Sequence, residues 1–385
     1  MTRRLHFAGS AKRDADADLL RDAHVLVRET ADGWVSRGGT LVGGIGAEPA
    51  LEDHEDISII FDWTVAEAAL AALEAGRAQV RSEEGALLCV RTSRRALTQV
   101  PERRQALLEE LMARGAIDLA LLPDGWRSGA LMRRAQAELG GVLVTLSGGA
   151  GVEDLVNLYV ENERPVVPID IELGSANSDA AQGGGTALAR RALTDPRPFL
   201  RLADGSSAAA RLVRLGMGEG RAAAIDIAAR LLQLLEDLEP PRVFCVRLLA
   251  PDHDAYDDVE WYFRAVAQPV LEEAGLRVVD LGVNPQERAW MNDEIFTSLH
   301  TAELVFADLT GSRPNCYVEL GYALGRGHRT VVTAREGEPM PFDADKLPWL
   351  FWKRSHKPEP AQKAIRDHLR RFGSRAPLVE PTRMV

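Results

Sequence analysis

Residues 303–327 read ELVFADLTGSRPNCYVELGYALGRG, and this stretch decides the fold of the second half of the chain. The apolar run 304–307 predicts a buried parallel strand that ends at the carboxylate of Asp308. A turn-rich segment, 310–315, follows, and the apolar spacing after it predicts a helix that carries Glu319 in its first turns. Ligands of open α/β sheets bind where strands end and helices begin, so polar groups here are expected to border a ligand crevice.

The length and composition of the chain indicate a globular protein of more than one domain. At 385 residues it is too long for one ordinary domain, and its 46% apolar and 27% charged content is typical of soluble proteins. The net charge of −11 disfavours a broad nucleic-acid-binding face. Neither a membrane span nor a signal peptide is predicted, and we therefore expect a cytoplasmic protein.

The three cysteines, Cys89, Cys245 and Cys316, lie far apart and none belongs to a CxxC motif. This spacing excludes a zinc site or a disulfide framework that could be recognised from sequence. We expect no metal and no tightly bound cofactor.

Residues 1–173 alternate between short apolar runs and amphipathic segments, which predicts a doubly wound parallel sheet. The predicted strands are 5–8, 38–46, 57–61, 87–90, 119–122, 141–146 and 166–169. The clearest helical patterns between them are 64–75, 103–114, 129–139 and 152–162.

Small-residue turns follow three of these strands and predict a cradle for a nucleotide phosphate. Glycine allows the backbone to approach a phosphate closely, and a helix N-terminus supplies N–H donors to hold it. The alternative is a set of tight turns without a ligand. The residues assigned to the cradle are Gly9, Ser10, Gly43, Gly44, Ser147, Gly148, Gly149, Gly151, Val152 and Glu153.

Residues 1–173 resemble the SLOG superfamily in the motifs FAGSA, SGGAGVEDL and RPVVPI. That superfamily contains cytokinin-activating phosphoribohydrolases, the DNA-uptake protein family and sensor domains of anti-phage effectors. The hydrolases carry PGGxGTxxE, whereas this chain has Ser147 for the proline, Val152 for the threonine and Leu155 for the catalytic glutamate. The resemblance therefore implies a sensor pocket, with a cyclic nucleotide or an ADP-ribose derivative as its activating ligand.

Residues 174–241 have a different composition and are predicted to connect two domains. Glycine and serine dominate their first part, and 222–238 form an amphipathic helix that ends before two prolines. The alternative is a dimerisation surface, because the wide apolar stripe of this helix must be buried somewhere. A homo-oligomer is expected on the second interpretation.

An α/β pattern resumes over residues 242–356, and residues 357–385 form a terminal helix and tail. The predicted strands are 242–247, 276–280, 304–307, 330–333 and 348–352, with helices at 257–274 and 286–299 between them. The expected fold is thus α/β: two doubly wound parallel-sheet domains, Rossmann-like or flavodoxin-like, joined by a helical connector.

Asp308, Asn315 and Glu319 suit chemistry at a glycosidic bond. A carboxylate can attack or stabilise the oxocarbenium-like anomeric carbon, and polar neighbours can hold the sugar hydroxyls. The alternatives are structural: Glu319 as an acid favoured by the helix dipole, and Asp308 as the cap of a turn.

The same stretch resembles the nucleoside 2-deoxyribosyltransferase-like family and its TIR-like relatives, and the match covers about residues 242–355. The resemblance implies that Glu319 is the catalytic carboxylate and that Asp308 and Asn315 orient the ribose. It also implies contacts to base or phosphate, or a place at the pocket edge, for Arg247, Gly311, Ser312, Arg313 and Trp290.

A SLOG-like sensor followed by a glycosidase-like domain resembles bacterial anti-phage effectors. We therefore predict an effector, activated by a nucleotide second messenger, that hydrolyses the N-glycosidic bond of NAD⁺ or a related nucleotide. The alternatives are a deoxyribosyltransferase of nucleotide salvage with a regulatory domain, and a signalling protein that only binds nucleotides. The expected partners are small nucleotides, without a membrane and without nucleic acid.

Overall fold

The computed structural model divides the chain into two compact units between Glu239 and Pro240. Each unit contains a parallel sheet flanked by helices, which confirms the predicted α/β class. No helix within the described residues is long and apolar enough to cross a bilayer. The residues that the structure describes are 4–80, 85–125, 128–162, 164–174, 184–216, 218, 220–279, 291–339 and 347–371.

The strands of the first unit form one parallel sheet and one small hairpin. They are β1 (Arg4–Ser10), β2 (Thr40–Gly43), β3 (Ala50–Leu51), β4 (His54–Ser58), β5 (Leu88–Ser93), β6 (Ile117–Leu122), β7 (Val142–Ser147) and β8 (Val166–Ile169). The sheet has the order β6-β5-β2-β1-β7-β8. Connections leave β1 toward one edge and β7 toward the other, so the direction of winding reverses between β1 and β7. This reversal opens a crevice at their carboxyl ends.

Helices cover both faces of this sheet. They are α1 (Ala17–Ser36), α2 (Asp62–Glu74), α3 (Arg94–Leu97), α4 (Glu102–Ala113), α5 (Ser128–Leu139), α6 (Ala150–Glu161), α7 (Gly184–Thr194), α8 (Ala209–Val213) and α9 (Arg221–Asp237).

The predicted strand 57–61 is wrong. β4 ends at Ser58 and pairs antiparallel with β3 through a tight turn, in which Asp53 has a φ of 62°. Asp62 already begins α2. Ile59 and Phe61 follow the hairpin and are buried in the core of the first unit. A short apolar run by itself does not distinguish a strand from such a buried segment.

The segment predicted as a connector also differs in the structure, because its described residues pack into the first unit. The apolar stripe of α9, including Ile227, Leu231 and Leu235, joins the core of that unit and lies against α1. A Cβ atom on Gly33 of α1 would lie 2.5 Å from Leu232 Cδ1, so the two helices approach closely. This stripe therefore needs no second subunit to bury it, and the homo-oligomer stays a prediction.

The second unit has the strand order β10-β9-β11-β12-β13, with all neighbours parallel. Its strands are β9 (Arg242–Val246), β10 (Arg277–Val279), β11 (Leu304–Asp308), β12 (Arg329–Arg335) and β13 (Trp349–Trp352). Its helices are α10 (Tyr256–Tyr262), a π-helical turn (Phe263–Ala267), α11 (Gln268–Glu273), α12 (Met291–Thr301), α13 (Pro314–Arg326) and α14 (Pro358–Arg371). This is the flavodoxin-like order, whose crevice lies at the carboxyl ends of β9 and β11.

Truncation of Leu231 tests the packing of α9. Leu231 is 0% exposed, whereas Ile225 on the same helix is 41% exposed. Leu231→Ala removes buried apolar contacts and leaves a cavity, so we expect a loss of roughly 2–5 kcal/mol in the free energy of unfolding of the first unit. Ile225→Ala should stay within about 0.5 kcal/mol of the parent chain. Urea titrations of the full chain measure both; equal effects of the two variants would contradict this packing.

Candidate active site and ligand cleft

Glu319 lies on α13, the helix that follows β11. Pro314 in the first turn of α13 and Gly327 in a left-handed conformation after its end define the helix at both termini. The helix buries Cys316, Leu320 and Ala323 on one face. Glu319 is one turn beyond Cys316 and is partly buried at the edge of this face.

The carboxyl group of Glu319 has an unusual environment. Burial raises its pKa to about 7. No residue in the described part of the chain forms an ion pair or hydrogen bond with it. The pKa of the Cys316 thiol is raised to about 12, first by burial and then by the negative charge of Glu319, which places the two groups close together. A desolvated carboxylate with a pKa near neutrality is typical of a catalytic acid, base or nucleophile.

Asp308, in contrast, has a structural role. Its Oδ2 accepts hydrogen bonds from Thr333 Oγ1 and Trp352 Nε1, both at 2.7 Å, and its Oδ1 accepts one from the Thr310 N–H at 3.2 Å. Burial raises the pKa of Asp308, and these donors act in the opposite direction. Oδ2 thus joins β11 to β12 and β13, and Oδ1 holds the turn that follows β11. The ribose contact assigned to Asp308 stays a prediction.

The turn between β11 and α13 is held in place by charged groups. The Gly311 N–H donates to Glu338 at 3.1 Å, and the guanidinium of Arg335 bridges Glu338 and Asp258. Gly311 has a φ of 84°, and a Cβ at this position would lie 2.9 Å from His253 Cε1, so only glycine fits. These contacts fix the direction in which α13 leaves the sheet.

The residues predicted to surround Glu319 are found in different environments. Ser312 has a φ of 48°, and its buried hydroxyl has no hydrogen-bond partner among the described residues. Arg313 and Asn315 are exposed at the start of α13. Trp290 lies outside the described residues.

The side chain of Arg247 already has partners within the second unit, and the contact to base or phosphate assigned to it stays a prediction. This arginine follows β9, but its guanidinium is buried, pairs with Glu260 of α10 and lies 4.4 Å from the centre of the Phe263 ring. It therefore stabilises the junction of α10 and the π-helical turn, because a buried charge requires a partner. An arginine at the end of a strand is well placed to bind a phosphate. The ion pair with Glu260, 13 residues further along the chain, could not be predicted from the sequence.

The first unit contains a cleft of about 370 Å³ at the carboxyl ends of β1, β2, β5 and β7. It is the crevice that the reversal of winding predicts. Six of the residues assigned to the phosphate cradle line it: Gly9, Ser10, Gly44, Gly149, Gly151 and Val152. The other four, Gly43, Ser147, Gly148 and Glu153, are not among the lining residues.

The turn before α6 explains this division. Ser147 has a φ of 51°, its hydroxyl donates to the Gly174 carbonyl at 2.7 Å, and the Gly148 N–H donates to the same oxygen at 2.9 Å. These two residues are therefore bound by the segment behind the turn. Gly149 is the N-cap of α6, and the first-turn N–H groups of a helix have no partner inside the helix. The N-terminus of α6 thus forms one wall of the cleft and favours an anion.

Several lining residues were missed by the sequence analysis because distant parts of the chain supply them. They include His6, Asp62, Thr92, Arg133 and Gln136. Asp62 directly follows the predicted strand 57–61, and a carboxylate at the end of a predicted strand could have indicated a place in the cleft. His6 is neutral, because burial lowers its pKa to about 3 and its Nδ1 contacts the Tyr159 hydroxyl at 3.1 Å. Nothing in the sequence around His6, Thr92 or Gln136 indicated a place in a cleft.

Leu155 lines the cleft at the position where the resembling hydrolases carry their catalytic glutamate. It is 5% exposed. No group of three or more His, Cys, Asp or Glu side chains within the described residues is placed to hold a metal ion.

Comparison with known proteins identifies the family of the first unit. The family described as "ATP nucleosidase Cap17-like, N-terminal" matches residues 1–235, which is more than half of the chain. The chain belongs to this family. The resemblance to the SLOG superfamily stays a prediction.

Two curated members are similar to part of the chain. ATP nucleosidase Cap17 of Escherichia coli strain KTE188 is 25% identical over 173 residues, which are 45% of this chain and 33% of the relative. A Cap17 protein described for Escherichia coli gives the same values. The chain thus spans about one third of the length of these Cap17-like relatives.

Among solved structures, the Clostridium botulinum CMP N-glycosidase BcmB is 18% identical with a TM-score of 0.26, over 33% of this chain and 99% of that chain. The TIR domain of the Hydra magnipapillata receptor TRR-2 is 16% identical with a TM-score of 0.26, over 34% and 97%. The molybdenum cofactor carrier protein of Chlamydomonas reinhardtii is 16% identical with a TM-score of 0.31, over 61% and 99%. Scores this low support no functional argument.

The raised pKa of Glu319 predicts a pH-dependent cost in stability. The unfolded chain loses this proton near the ordinary pKa of 4.5 and the folded chain near 7, so stability falls as pH rises between these values. Glutamine imitates the protonated acid. We therefore expect the free energy of unfolding of Glu319→Gln, from urea titration at pH 8.5, to exceed that of the parent by about 1–3 kcal/mol. The difference should be much smaller at pH 5.

Glu272→Gln is the matched control, because Glu272 is exposed on α11. It should change stability little at either pH. A Glu319→Gln variant that is equally stable as the parent at pH 8.5 would show that the Glu319 carboxylate is not desolvated.

Proposed function

We propose that the second unit hydrolyses the N-glycosidic bond of a nucleotide, with Glu319 as the reacting carboxylate. The observation that carries the proposal is the environment of Glu319: a partly buried carboxylate, without a partner among the described residues, on the helix after the central strand β11. Sheets with this strand order bind their ligands at that edge. The family that matches residues 1–235 is named for an ATP nucleosidase, which supports this reaction class for the protein, and the match itself lies in the first unit.

The chemistry requires the ionised form of Glu319. As the bond between the anomeric carbon and the base nitrogen breaks, its electron pair leaves with the base and positive charge develops on the sugar. A carboxylate beside that carbon stabilises the charge or bonds to it, and water then supplies the oxygen of the sugar product. One proton of this water passes to the departing adenine of ATP, or to solvent when the neutral nicotinamide of NAD⁺ departs. The sugar hydroxyls need polar neighbours, and we assign Asn315 and the turn 311–313 to them.

ATP is the first substrate to test, because the curated relatives are named ATP nucleosidases. NAD⁺, which the sequence analysis favours, is the second, because it contains the same type of bond to a ribose. We further propose that a nucleotide bound in the cleft of the first unit controls this reaction and that the protein acts in bacterial antiviral defence. The N-terminus of α6 in that cleft, with Leu155 in place of a catalytic glutamate, supports binding without hydrolysis there.

Release of free base from ATP, NAD⁺ and a panel of other nucleotides tests the proposed reaction, with each substrate also assayed in the presence of cyclic dinucleotides and ADP-ribose. We expect Glu319→Gln to lower kcat at least about 1,000-fold, because the reacting carboxylate is lost. For the parent, kcat/KM should rise about tenfold per pH unit below pH 7 and level off above it, because the ionised carboxylate reacts.

Glu272→Gln serves again as the control and should keep the activity and pH profile of the parent. Base release that is unchanged in Glu319→Gln would overturn the proposal. Base exchange between two nucleotides without net hydrolysis would indicate a transferase, and binding without any chemistry would indicate a signalling protein.

Gly149→Asp tests control by the cleft. Aspartate is a favourable N-cap residue, so the fold of α6 should be kept while the new negative charge repels a phosphate. We expect this variant to lose activation by the nucleotide that stimulates the parent, with its basal activity retained. Gly149→Ser, which caps the helix without charge, should remain activatable; loss of activation in both variants, or in neither, would count against an anion site here.

A further inference from the structure

The cleft of the first unit contains a carboxylate beside the glycine turn that follows β2. Asp62, the first residue of α2, lines the cleft beside Gly44. Its Oδ1 accepts the Gly44 N–H at 2.6 Å. No arginine, lysine or histidine in the described residues forms an ion pair with it. Its own backbone N–H and the N-terminus of α2 also stabilise the carboxylate. A carboxylate has about four acceptor sites, so Asp62 on the wall of the cleft can accept a further hydrogen bond from a ligand.

The position of Asp62 in the sheet supports this view. In sheets of this kind, an acid at the carboxyl end of the second strand accepts a hydrogen bond from a ribose hydroxyl. Here β2 ends in Gly43 and Gly44, which have no side chains to do so. A Cβ on Gly44 would lie 2.8 Å from Asp62 Oδ1, so the carboxylate occupies the space that a side chain of the strand would otherwise fill.

The opposite side of the cleft suits an anion. The N-terminus of α6 follows β7, and Arg133 of α5 lines the cleft nearby. Arg133 is 30% exposed and pairs with Asp154 at 2.6 Å, so a ligand phosphate there meets a guanidinium that is already oriented. A phosphate also meets the N–H groups of the first turn of α6.

The distance between these two sides limits the ligand. β2 and β7 are the two neighbours of β1, so their ends lie two strand spacings apart, roughly 10 Å. A single nucleotide has this scale, so it can reach from one side of the cleft to the other. Ile45, Ile60 and Met132 add apolar surface for a base.

We infer that Asp62 makes the cleft specific for ribonucleotides: one ribonucleoside 5′-phosphate unit binds with its phosphate at the N-terminus of α6 and its 2′-hydroxyl donating to Asp62. This inference deepens the proposed nucleotide control and rests on it for its biological meaning. The binding itself does not depend on the reaction at Glu319.

Calorimetric titration of the full chain tests the inference, in a Glu319→Gln background that prevents turnover. The probes are AMP, GMP, CMP and UMP, each compared with its 2′-deoxy counterpart. We expect at least one ribonucleotide to bind and its 2′-deoxy counterpart to bind at least about tenfold more weakly, because the deoxy form leaves the carboxylate without its donor. Absence of binding by all four ribonucleotides, or equal affinity of each pair, would overturn the inference.

Two variants in the same background locate the effect. Asp62→Asn should bring the ratio of ribo to deoxy affinity close to one, whereas Asp56→Asn, at an exposed acid on β4, should keep the ratio. Gly149→Asp should abolish binding. An unchanged ratio in Asp62→Asn would show that another group recognises the 2′-hydroxyl. Unchanged binding in Gly149→Asp would show that the phosphate binds elsewhere. The ribo-to-deoxy comparison on the parent cleft remains decisive even when Asp62→Asn folds poorly. If the parent chain releases no base from ATP or NAD⁺, only the proposed reaction is overturned. If the Glu319→Gln chain releases base from the bound ribonucleotide, the cleft itself carries out chemistry, which contradicts a binding role.

Discussion

The buried carboxylate of Asp308 is the constraint on which the second unit depends. It receives hydrogen bonds from a backbone N–H of the following turn, from a threonine on β12 and from a tryptophan on β13. One side chain thus joins three neighbouring strands at their carboxyl ends. Parallel strands, unlike those of a hairpin, have no tight turn that links them there. The turn fixed in this way sets the start of α13, and the start of α13 sets the place of Glu319. The position of Glu319, which has no partner among the described residues, therefore depends on Asp308, which has three hydrogen-bond donors.

The two units carry different groups at the same edge of a parallel sheet. In the first unit the strand ends carry glycines, and the cleft presents N–H groups, an arginine and a carboxylate that accepts hydrogen bonds. Leu155 lies in this cleft at the position of the glutamate in the resembling hydrolases, and the role proposed for this set is to bind a phosphorylated ligand. In the second unit the equivalent edge carries Glu319, whose pKa is near neutrality because it is withdrawn from water. The proposed function thus assigns ligand binding and the reaction to separate units.

Much of this arrangement follows from the sequence, because it is local. The alternating apolar runs predict both parallel sheets, and the proline and glycine around α13 define a helix that carries Glu319. Interactions between distant segments are not predictable in this way. The pairing of Arg247 with Glu260 was not predicted, and the packing of α9 against α1 turns an apparent connector into core. Asp62 and Arg133 enter the cleft from helices on either side of it, and only the order of the strands brings them together.

The most direct test of the account is the pKa of Glu319 itself. Nuclear magnetic resonance of the chain with ¹³C-labelled glutamate side-chain carboxyl groups follows each titration, and the signal that disappears in Glu319→Gln belongs to Glu319. We predict that this signal titrates close to pH 7, well above the ordinary range of glutamate. A signal that titrates near pH 4 would show a solvated carboxylate and would contradict the role assigned to Glu319.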